Sequence, residues 1–531
     1  MSAKKKQSRR GFLGTAAVAA AGTAVSMTAK TYAQVPGANE AVRVGFLGVG
    51  GRCQQHIDVV LKMTEQKKNV RAVAVNDVWD GQVVPGVIKG RGLYPSAERC
   101  GLDKDDKKHV SKDYRVILEQ KDVDVVCIAT PDHWHARMAI DAMEAGKHVY
   151  MEKPMTRTIA EAIAVVDSAV KNNKVVTVGV QSMADPTWLA AYEYIKTGNI
   201  GKVMMGQTSY FRNSSVGQWR YYPLTKEMSP KTIDWDTWLG HKFKGVDGEP
   251  LGPTKKEMPF DRAVWAQWRC YWPFGGGMFT DLFVHQTTHM IAAMGLKFPA
   301  RVVGAGGLYF EYDGRDVPDV ATVVADYNEG CQFLVSATMM NDVQLGEVIR
   351  GHLATIKFSA EGRQDHLKGF EVFGQNISGG PKKPGGAQGE AVHTYENPNF
   401  AKAASGVENG ATYALWQNFI ECVGAKKRET LSTPELGAAA FSTVNMGVQG
   451  YRQGKVLFWD KDARKVKDAD PSWAAGWEKR SKERGKPNQI IGWTGGDKGS
   501  TLTPPDYQKL EGPWVDDKEP TGGKATGSSG K

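Results

Sequence analysis

Long apolar runs, closely spaced cysteines and basic stretches laced with aromatics are all missing from this chain. The apolar, Ala-rich segment from Thr15 to Val25 falls well short of the about 20 residues a helix needs to span a bilayer, so no stable membrane insertion is expected. The six cysteines, Cys53, Cys100, Cys127, Cys270, Cys331 and Cys422, lie far apart with no CxxC spacing. Mostly free thiols are expected, because a large core does not need cross-links. The formal net charge of +10 overstates the basic character: residues 1–33 hold Lys4, Lys5, Lys6, Arg9, Arg10 and Lys30 with no acidic residue, and without those six charges +4 remains. Nothing in that balance points to nucleic acid as a partner. No internal repeat is evident.

What is present near the start is an ordered series of signals. Ser8-Arg9-Arg10-Gly11-Phe12-Leu13 is followed by the apolar segment and then by Thr31-Tyr32-Ala33, a small-x-small cleavage site. This is the pattern of a twin-arginine signal peptide over residues 1–33, whose pathway carries proteins already folded. The expectation is an exported protein, located in the periplasm.

At 531 residues the chain is too long for one ordinary core, and a composition of 41% hydrophobic and 24% charged residues is that of a globular protein. Short β-branched runs at residues 42–50, 70–75, 123–130, 148–151 and 175–180 alternate with helical patterns. Their near-continuous hydrophobicity predicts strands buried on both faces of a parallel sheet. Thr158-Ile159-Ala160-Glu161 predicts a capping box, followed by an apolar stripe through Ile163, Val166 and Val170. Together these predict an α/β fold opening with a doubly wound Rossmann domain over residues 41–180. Beyond Gln181 a helix-like segment at 186–198 leads into successive strands near 202–211, 301–314, 321–330 and 331–340, and a further helix is expected to start at Pro434. This predicts a second, α+β domain over residues 181–460 with an open, mainly antiparallel sheet. Residues 461–531, rich in Gly, Lys, Pro and Asp, read as an extended C-terminal arm, with Trp473, Trp477, Trp493 and Trp514 implying some docking.

Gly48-Val49-Gly50-Gly51-Arg52-Cys53 lies where a strand turns into a helix, the context a dinucleotide-binding turn requires. Gly48 would allow the tight turn, and Gly50, leading into Gly51 and Arg52, the close approach of backbone N–H groups to a diphosphate. Cys53 replaces the third glycine of the pattern with another small residue. Asp77, at the end of the second strand, offers a carboxylate to a ribose diol, and its neighbours Val78 and Trp79 provide no cation for a 2′-phosphate. NAD is therefore favoured over NADP.

The stretch from Thr130-Pro131 through His135 to Gly146-Lys147-His148-Val149 and Glu152-Lys153-Pro154 resembles the Gfo/Idh/MocA family of oxidoreductases, with the likeness running over roughly residues 41 to 450. The resemblance implies bound NAD or NADP and a sugar or cyclitol substrate, and it places Thr130, Pro131, His135, Glu152 and Lys153 on the cofactor side. Lys153, preceding a proline at the end of a parallel strand, is held extended where ligands bind in this architecture. In residues 275–290, Asp281 and His285 are one helical turn apart and resemble the family's Asp-x-x-x-His pair. That assigns His285 as the base that removes a hydroxyl proton, Asp281 as its neighbour or a hydroxyl acceptor, and Lys153 as the cation that stabilises a developing alkoxide. Where many family members carry an acid three residues after the histidine, this chain has Thr288, with His289 beyond it. Asp281, His285 and His289, with His133 and His135 near them, are plausible metal ligands. Histidines at helical spacing are more often core or substrate groups, however, and no metal is expected.

Trp235, Trp238, Trp265, Trp268, Tyr271 and Trp272 cluster upstream of this pair and fit either sugar stacking or core packing. Residues 211–223 read as a substrate loop. The expectation is an exported NAD(P)-dependent oxidoreductase acting on a sugar, cyclitol or glycoside hydroxyl, with a homo-oligomer compatible with it. The alternatives are an NAD-dependent glycosidase that works by transient oxidation and elimination, and a non-catalytic sugar-binding protein with a structural dinucleotide.

Overall fold

The β-branched runs become a parallel sheet. The computed structural model describes residues 41–84, 88–360, 367–375, 389–400 and 410–482. The leader read in residues 1–33, like Trp493 and Trp514, lies outside the described residues. In chain order the first half forms β1 (Val42–Leu47), β2 (Val70–Asn76), a separate hairpin of β3 (Gln82–Val84) and β4 (Ile88–Arg91), then β5 (Val110–Ser111), β6 (Val125–Ile128), β7 (His148–Glu152) and β8 (Val176–Gly179). With the hairpin set aside, the sheet order is β5-β2-β1-β6-β7-β8, every pair parallel. The order reverses beside β1, which puts a ligand crevice at the carboxyl ends of β1, β2 and β6. All four residues of β6 are buried, as covering both faces of a parallel sheet requires. The capping box forms as read: the Thr158 hydroxyl accepts from Glu161 N and the Glu161 carboxylate accepts from Thr158 N, starting the helix Ile159–Lys171.

The second half adds β9 (Val203–Ser209), β10 (Arg212–Asn213), β11 (Arg301–Gly307), β12 (Val320–Tyr327), β13 (Cys331–Thr338), β14 (Met340–Asn341), β15 (Val348–Gly351), β16 (Ala354–Ala360), β17 (Leu367–Gly374), β18 (His393–Glu396), β19 (Val456–Asp460) and β20 (Lys465–Lys467). Ten of these form one sheet in the order β18-β17-β16-β15-β9-β13-β12-β11-β19-β20, antiparallel except where β9 runs parallel to β13. Buried and half-buried residues alternate along β12 and β13, the pattern of a sheet with one face on a core. The helices Phe283–Met294 and Pro434–Gln453 cover that face. The latter starts as its sequence implied, with Thr433 as N-cap and Pro434 in the first turn.

Two stretches of the second half reach back to the first. The helix Ala411–Ala425 stacks Trp416 on Tyr150, with ring centroids 4.4 Å apart. Residues 232–234 bond to the end of β2, Asp80 N donating to Thr232 O and Asp234 N to Val78 O, both at 2.9 Å. The segment between β10 and residue 270 thereby arches over the crevice. In the stretch read as a tail, β20 adds an edge strand and the helix Ser472–Lys482 follows it. All six cysteines are unpaired thiols, and no helix among the described residues is long and apolar enough to cross a membrane.

Candidate functional site

β1 ends at Leu47 and the chain must reverse at once into the helix Gly51–Glu65. Gly48 does this at φ +78°, and a Cβ there would lie 2.5 Å from Thr130 Cγ2 and 2.9 Å from the Thr130 backbone, so only glycine fits. A Cβ on Gly50 would meet nothing within 4 Å: the space beyond the helix N-terminus is open. That space belongs to a cavity of about 380 Å³, lined on one side by Gly48, Gly50, Gly51, Arg52, Asp77, Thr130 and Pro131. Seven of the ten sequence-predicted cofactor residues therefore share one surface. The Thr130 hydroxyl and Arg52 Nη2 are both buried there with no hydrogen-bond partner among the described residues, which fits a polar ligand bound in the groove. Cys53, standing for the third glycine, is a fully buried free thiol beside that of Cys127 of β6, so it packs the helix onto the sheet as a small residue must.

Asp77 accepts from Trp79 N at 2.9 Å. Burial pushes its carboxyl up to about 7, against the lowering pull of the Trp79, Val49 and Val78 backbone donors and of Lys112. Two cations that local sequence did not point to also line the groove, Arg91 and Lys112, and Lys112 is paired with Asp80 at 2.7 Å. The opposite wall comes from the arching segment: Tyr222, Trp238, Trp265, Trp268 and Arg269. Trp265 meets Trp79 edge to face at 4.9 Å, and Trp235 and Trp238 stack at 4.6 Å in a small core of their own. Three of the aromatics from the cluster thus wall the groove.

Glu152, His135 and Lys153 are not among the residues lining the cavity. The Glu152 carboxylate accepts from Arg52 Nε at 2.7 Å, His56 Nε2 at 2.9 Å and Lys153 N at 3.1 Å. Because Trp416 Nε1 donates to His56 Nδ1, the proton of that neutral imidazole is on Nε2, facing Glu152. Burial works to raise the Glu152 carboxyl, but Arg52, His56 and Lys153 outweigh it and hold the group well below the usual carboxylate range. His135 bridges Pro154 O and Thr130 O at 2.8 and 2.9 Å, joining the ends of β6 and β7. Both residues position the groove from beneath.

The three residues predicted as catalytic lie near one another, Lys153 meeting Asp281 across 128 positions of sequence. Lys153 Nζ donates to Asp281 Oδ1 and to Asp281 O, each at 2.9 Å. Arg269 Nε donates to the same Oδ1 at 3.0 Å, and Trp219 Nε1 to Oδ2 at 3.2 Å. Burial alone would raise the Asp281 carboxyl, yet Lys153 and Arg269 hold it well below its ordinary value. The single helix expected through this pair is broken: Gly277–Asp281 ends, and Phe283–Met294 begins after Leu282. His285 therefore sits in the first turn of the second helix, its ring 5.8 Å from that of Tyr210. Burial and the Lys153 charge push its imidazole well down, so it is neutral at pH 7, and no hydrogen bond to its ring nitrogens occurs among the described residues. His289 points elsewhere, bonding Ser182 Oγ at 2.9 Å and Glu347 Oε1 at 2.8 Å. Among the described residues no cluster of three metal-binding side chains occurs.

Sequence reading missed Arg269, Trp219 and Asp132. The substrate-loop reading of 211–223 contained Trp219, but nothing in local spacing ties Arg269 to Asp281. Asp132 is buried close by, and burial, reinforced by Asp281, pushes its carboxyl well up despite Arg269 and Lys153. Arg269, which both lines the cavity and bonds Asp281, links the groove to the Lys153–Asp281 pair.

Residues 42–180 match the GFO_IDH_MocA family model, described as an oxidoreductase family with an NAD-binding Rossmann fold. The chain is 29% identical over 277 residues to a "Glycosyl hydrolase family 109 protein" of Shewanella pealeana, covering 48% of this chain and 56% of that one. It is 30% identical over 228 residues to an "Alpha-N-acetylgalactosaminidase" of Shewanella oneidensis, covering 42% and 45%. It thus spans about half the length of the curated relatives it matches. Among solved structures, the fold is similar to the WlbA dehydrogenase of Chromobactrium violaceum, solved with NADH and UDP-GlcNAcA: TM-score 0.53, 16% identity, 80% of this chain and 97% of that one.

Proposed function

We propose that this chain, whose residues 42–180 carry the oxidoreductase family's NAD-binding Rossmann fold, is an enzyme that holds NAD in the groove and oxidises a hydroxyl-bearing carbon of a sugar, cyclitol or glycoside. One observation carries the reading: next to the groove, a neutral histidine with unbonded ring nitrogens stands beside a buried Lys153–Asp281 pair. When bound, the dinucleotide supplies a hydride acceptor. Gly48, Gly50, Gly51 and Thr130 would hold it at the helix N-terminus and Asp77 at a ribose. NAD is preferred to NADP because a carboxylate occupies the ribose end and the Lys112 ammonium is already held by Asp80.

His285 takes the hydroxyl proton, a task for which it must be unprotonated. Lys153 has two of its three N–H donors on Asp281 and the third left for a developing alkoxide. Asp281 keeps that ammonium charged and in place, with Arg269 and Trp219 fixing the carboxylate in turn.

A second reading is favoured by the names of the curated relatives: a glycosidase in which oxidation is reversed within the same turnover, so that a glycosidic bond is cleaved without net redox change. The leader pattern in residues 1–33 supports export of the folded protein, and an exported enzyme, cut off from the cytoplasmic nucleotide pool, favours such a closed cycle. The test is to purify the protein from the exported fraction, denature it, and identify released nucleotide by mass spectrometry. Stoichiometric NAD(H) supports the reading. An empty site that also fails to take up added NAD overturns it in favour of a non-catalytic sugar-binding protein.

A further inference from the structure

The hairpin β3–β4 is an insertion that the doubly wound sheet does not need. The chain leaves β2 beside Asp77, pairs β3 with β4 in antiparallel fashion, and only then enters the helix Leu93–Arg99. The base of the hairpin is pinched. Gly81 and Gly92 sit at φ +97° and +89°, and a Cβ on Gly92 would lie 2.3 Å from Gly81 Cα, so the two strands close as only a glycine pair allows. Gly92 N donates to Val49 O at 3.0 Å, which ties this base directly to the middle of the glycine turn.

Arg91 is the last residue of β4, immediately before that pinch. Its guanidinium is what a Cβ on Gly51 would meet first, with Cζ at 3.2 Å and Nε and Nη1 at 3.4 Å. Among the described residues no carboxylate pairs with Arg91, whereas Arg52, Arg99 and Lys112 around it are paired with Glu152, Asp58 and Asp80. The helix Gly51–Glu65 has no acidic residue in its first turn. The fold therefore brings an unpaired cation up to the positive end of a helix, an arrangement that is uphill unless an anion sits between them.

We propose that Arg91 is a diphosphate-gripping residue, and that the hairpin presses its guanidinium onto the dinucleotide's diphosphate opposite the N-terminus of the Gly51 helix. The planar guanidinium presents paired donors that match phosphate oxygens. Because Val49 and Gly92 couple the hairpin to the turn, the grip and the turn move as one body, which makes the hairpin a retention device for the cofactor. The inference rests on the reading of the groove as a dinucleotide site.

The test titrates nucleotide-depleted full-length chain with NAD, ADP-ribose and adenosine, comparing the parent with R91Q and R91K. Expected is a loss of roughly 10- to 100-fold in NAD and ADP-ribose affinity for R91Q, the magnitude of a lost charge-assisted contact, with adenosine binding unchanged and R91K in between. Unchanged NAD affinity in R91Q overturns the proposal, and so does an equal loss for adenosine, which would mean the hairpin had collapsed. A parallel titration with NADP in which R91Q loses affinity while its NAD affinity is unchanged would assign Arg91 to a 2′-phosphate instead and overturn it too. A parent chain that binds none of the three refutes the dinucleotide reading itself, an outcome distinct from a failure of Arg91 alone.

Discussion

Replacing Asp281 by asparagine tests the central cluster most directly, because the substitution keeps the shape and removes one charge. In the parent, a single carboxylate oxygen receives both Lys153 Nζ and Arg269 Nε, while the other receives the Trp219 indole. The side chains of Lys153 and Asp281 are only 12% and 9% exposed, so solvent cannot stand in for the lost partner. D281N leaves two buried cations facing a neutral amide, and removing one partner of a buried ion pair costs about 3–5 kcal/mol. Urea unfolding of nucleotide-depleted protein should show a loss in that range. The double variant D281N/K153M should recover part of it, since it removes one of the stranded charges, with a coupling of more than about 1 kcal/mol. The pH dependence has a definite sign. The Asp281 carboxyl is depressed in the folded state, so its contribution is complete above the unfolded value of about 3.9 and drains only as the solution becomes more acid than that. The gap between D281N and parent should therefore be constant from pH 5 to pH 9 and shrink below about pH 4. A D281N variant within about 0.5 kcal/mol of the parent, or a double variant whose losses simply add, would refute the idea that this carboxylate anchors two cations.

Two further outcomes follow from the same geometry. With the Asp77 carboxyl raised to about 7 in the free protein, NAD affinity should fall about tenfold for each pH unit below 7, since a proton must leave before the group can accept a ribose diol; isothermal titration of parent and D77N between pH 5.5 and 8 should find the slope only in the parent. A raised folded-state value also means stability lost as pH rises through 7, so nucleotide-free D77N should outlast the parent in thermal melts at pH 8. H285N should lower turnover about 10²- to 10⁴-fold while the purified protein keeps its nucleotide, and undiminished turnover removes His285 from the chemistry.

What was legible in the sequence was what repeats or what is local. The β-branched runs gave the parallel strands, because burial on both faces leaves a continuous apolar signature. Thr158 and Glu161 gave a helix start, because a capping box closes within four residues. Gly48 was legible because a strand that must reverse against Thr130 tolerates no side chain. The convergence of Lys153 with Asp281 was legible only through the family resemblance, since no periodicity links residues 128 apart. Arg269, Trp219 and Arg91 escaped because each arrives from a loop or hairpin whose path is set by tertiary contacts, not by its own pattern. The break at Leu282 escaped for a related reason: helical spacing from Asp281 to His285 is satisfied equally by one helix or by two short ones meeting there. The helix Ala411–Ala425 reads as an ordinary amphipathic segment, and only the pocket left by His56 and Tyr150 makes Trp416 part of the first half's core.

Two buried carboxylates, Glu152 and Asp281, organise the site, and neither faces the groove directly. Glu152 collects Arg52, His56 and the Lys153 backbone, fixing the helix that starts at Gly51 to the end of β7. Asp281 collects the Lys153 side chain, Arg269 and Trp219, fixing the end of β7 to the second half. Lys153 is thus the one residue gripped by both, its backbone by the first carboxylate and its ammonium by the second. Each carboxylate is held ionised well below the ordinary range by the cations bonded to it, and its lone pairs are taken up by those donors. With those two fully bonded and His289 turned to Ser182 and Glu347, the proposed reading gives the proton-accepting role to His285, whose ring nitrogens no described residue bonds. A frame of paired charges around an imidazole that no described residue bonds is the arrangement the proposed hydroxyl deprotonation would use.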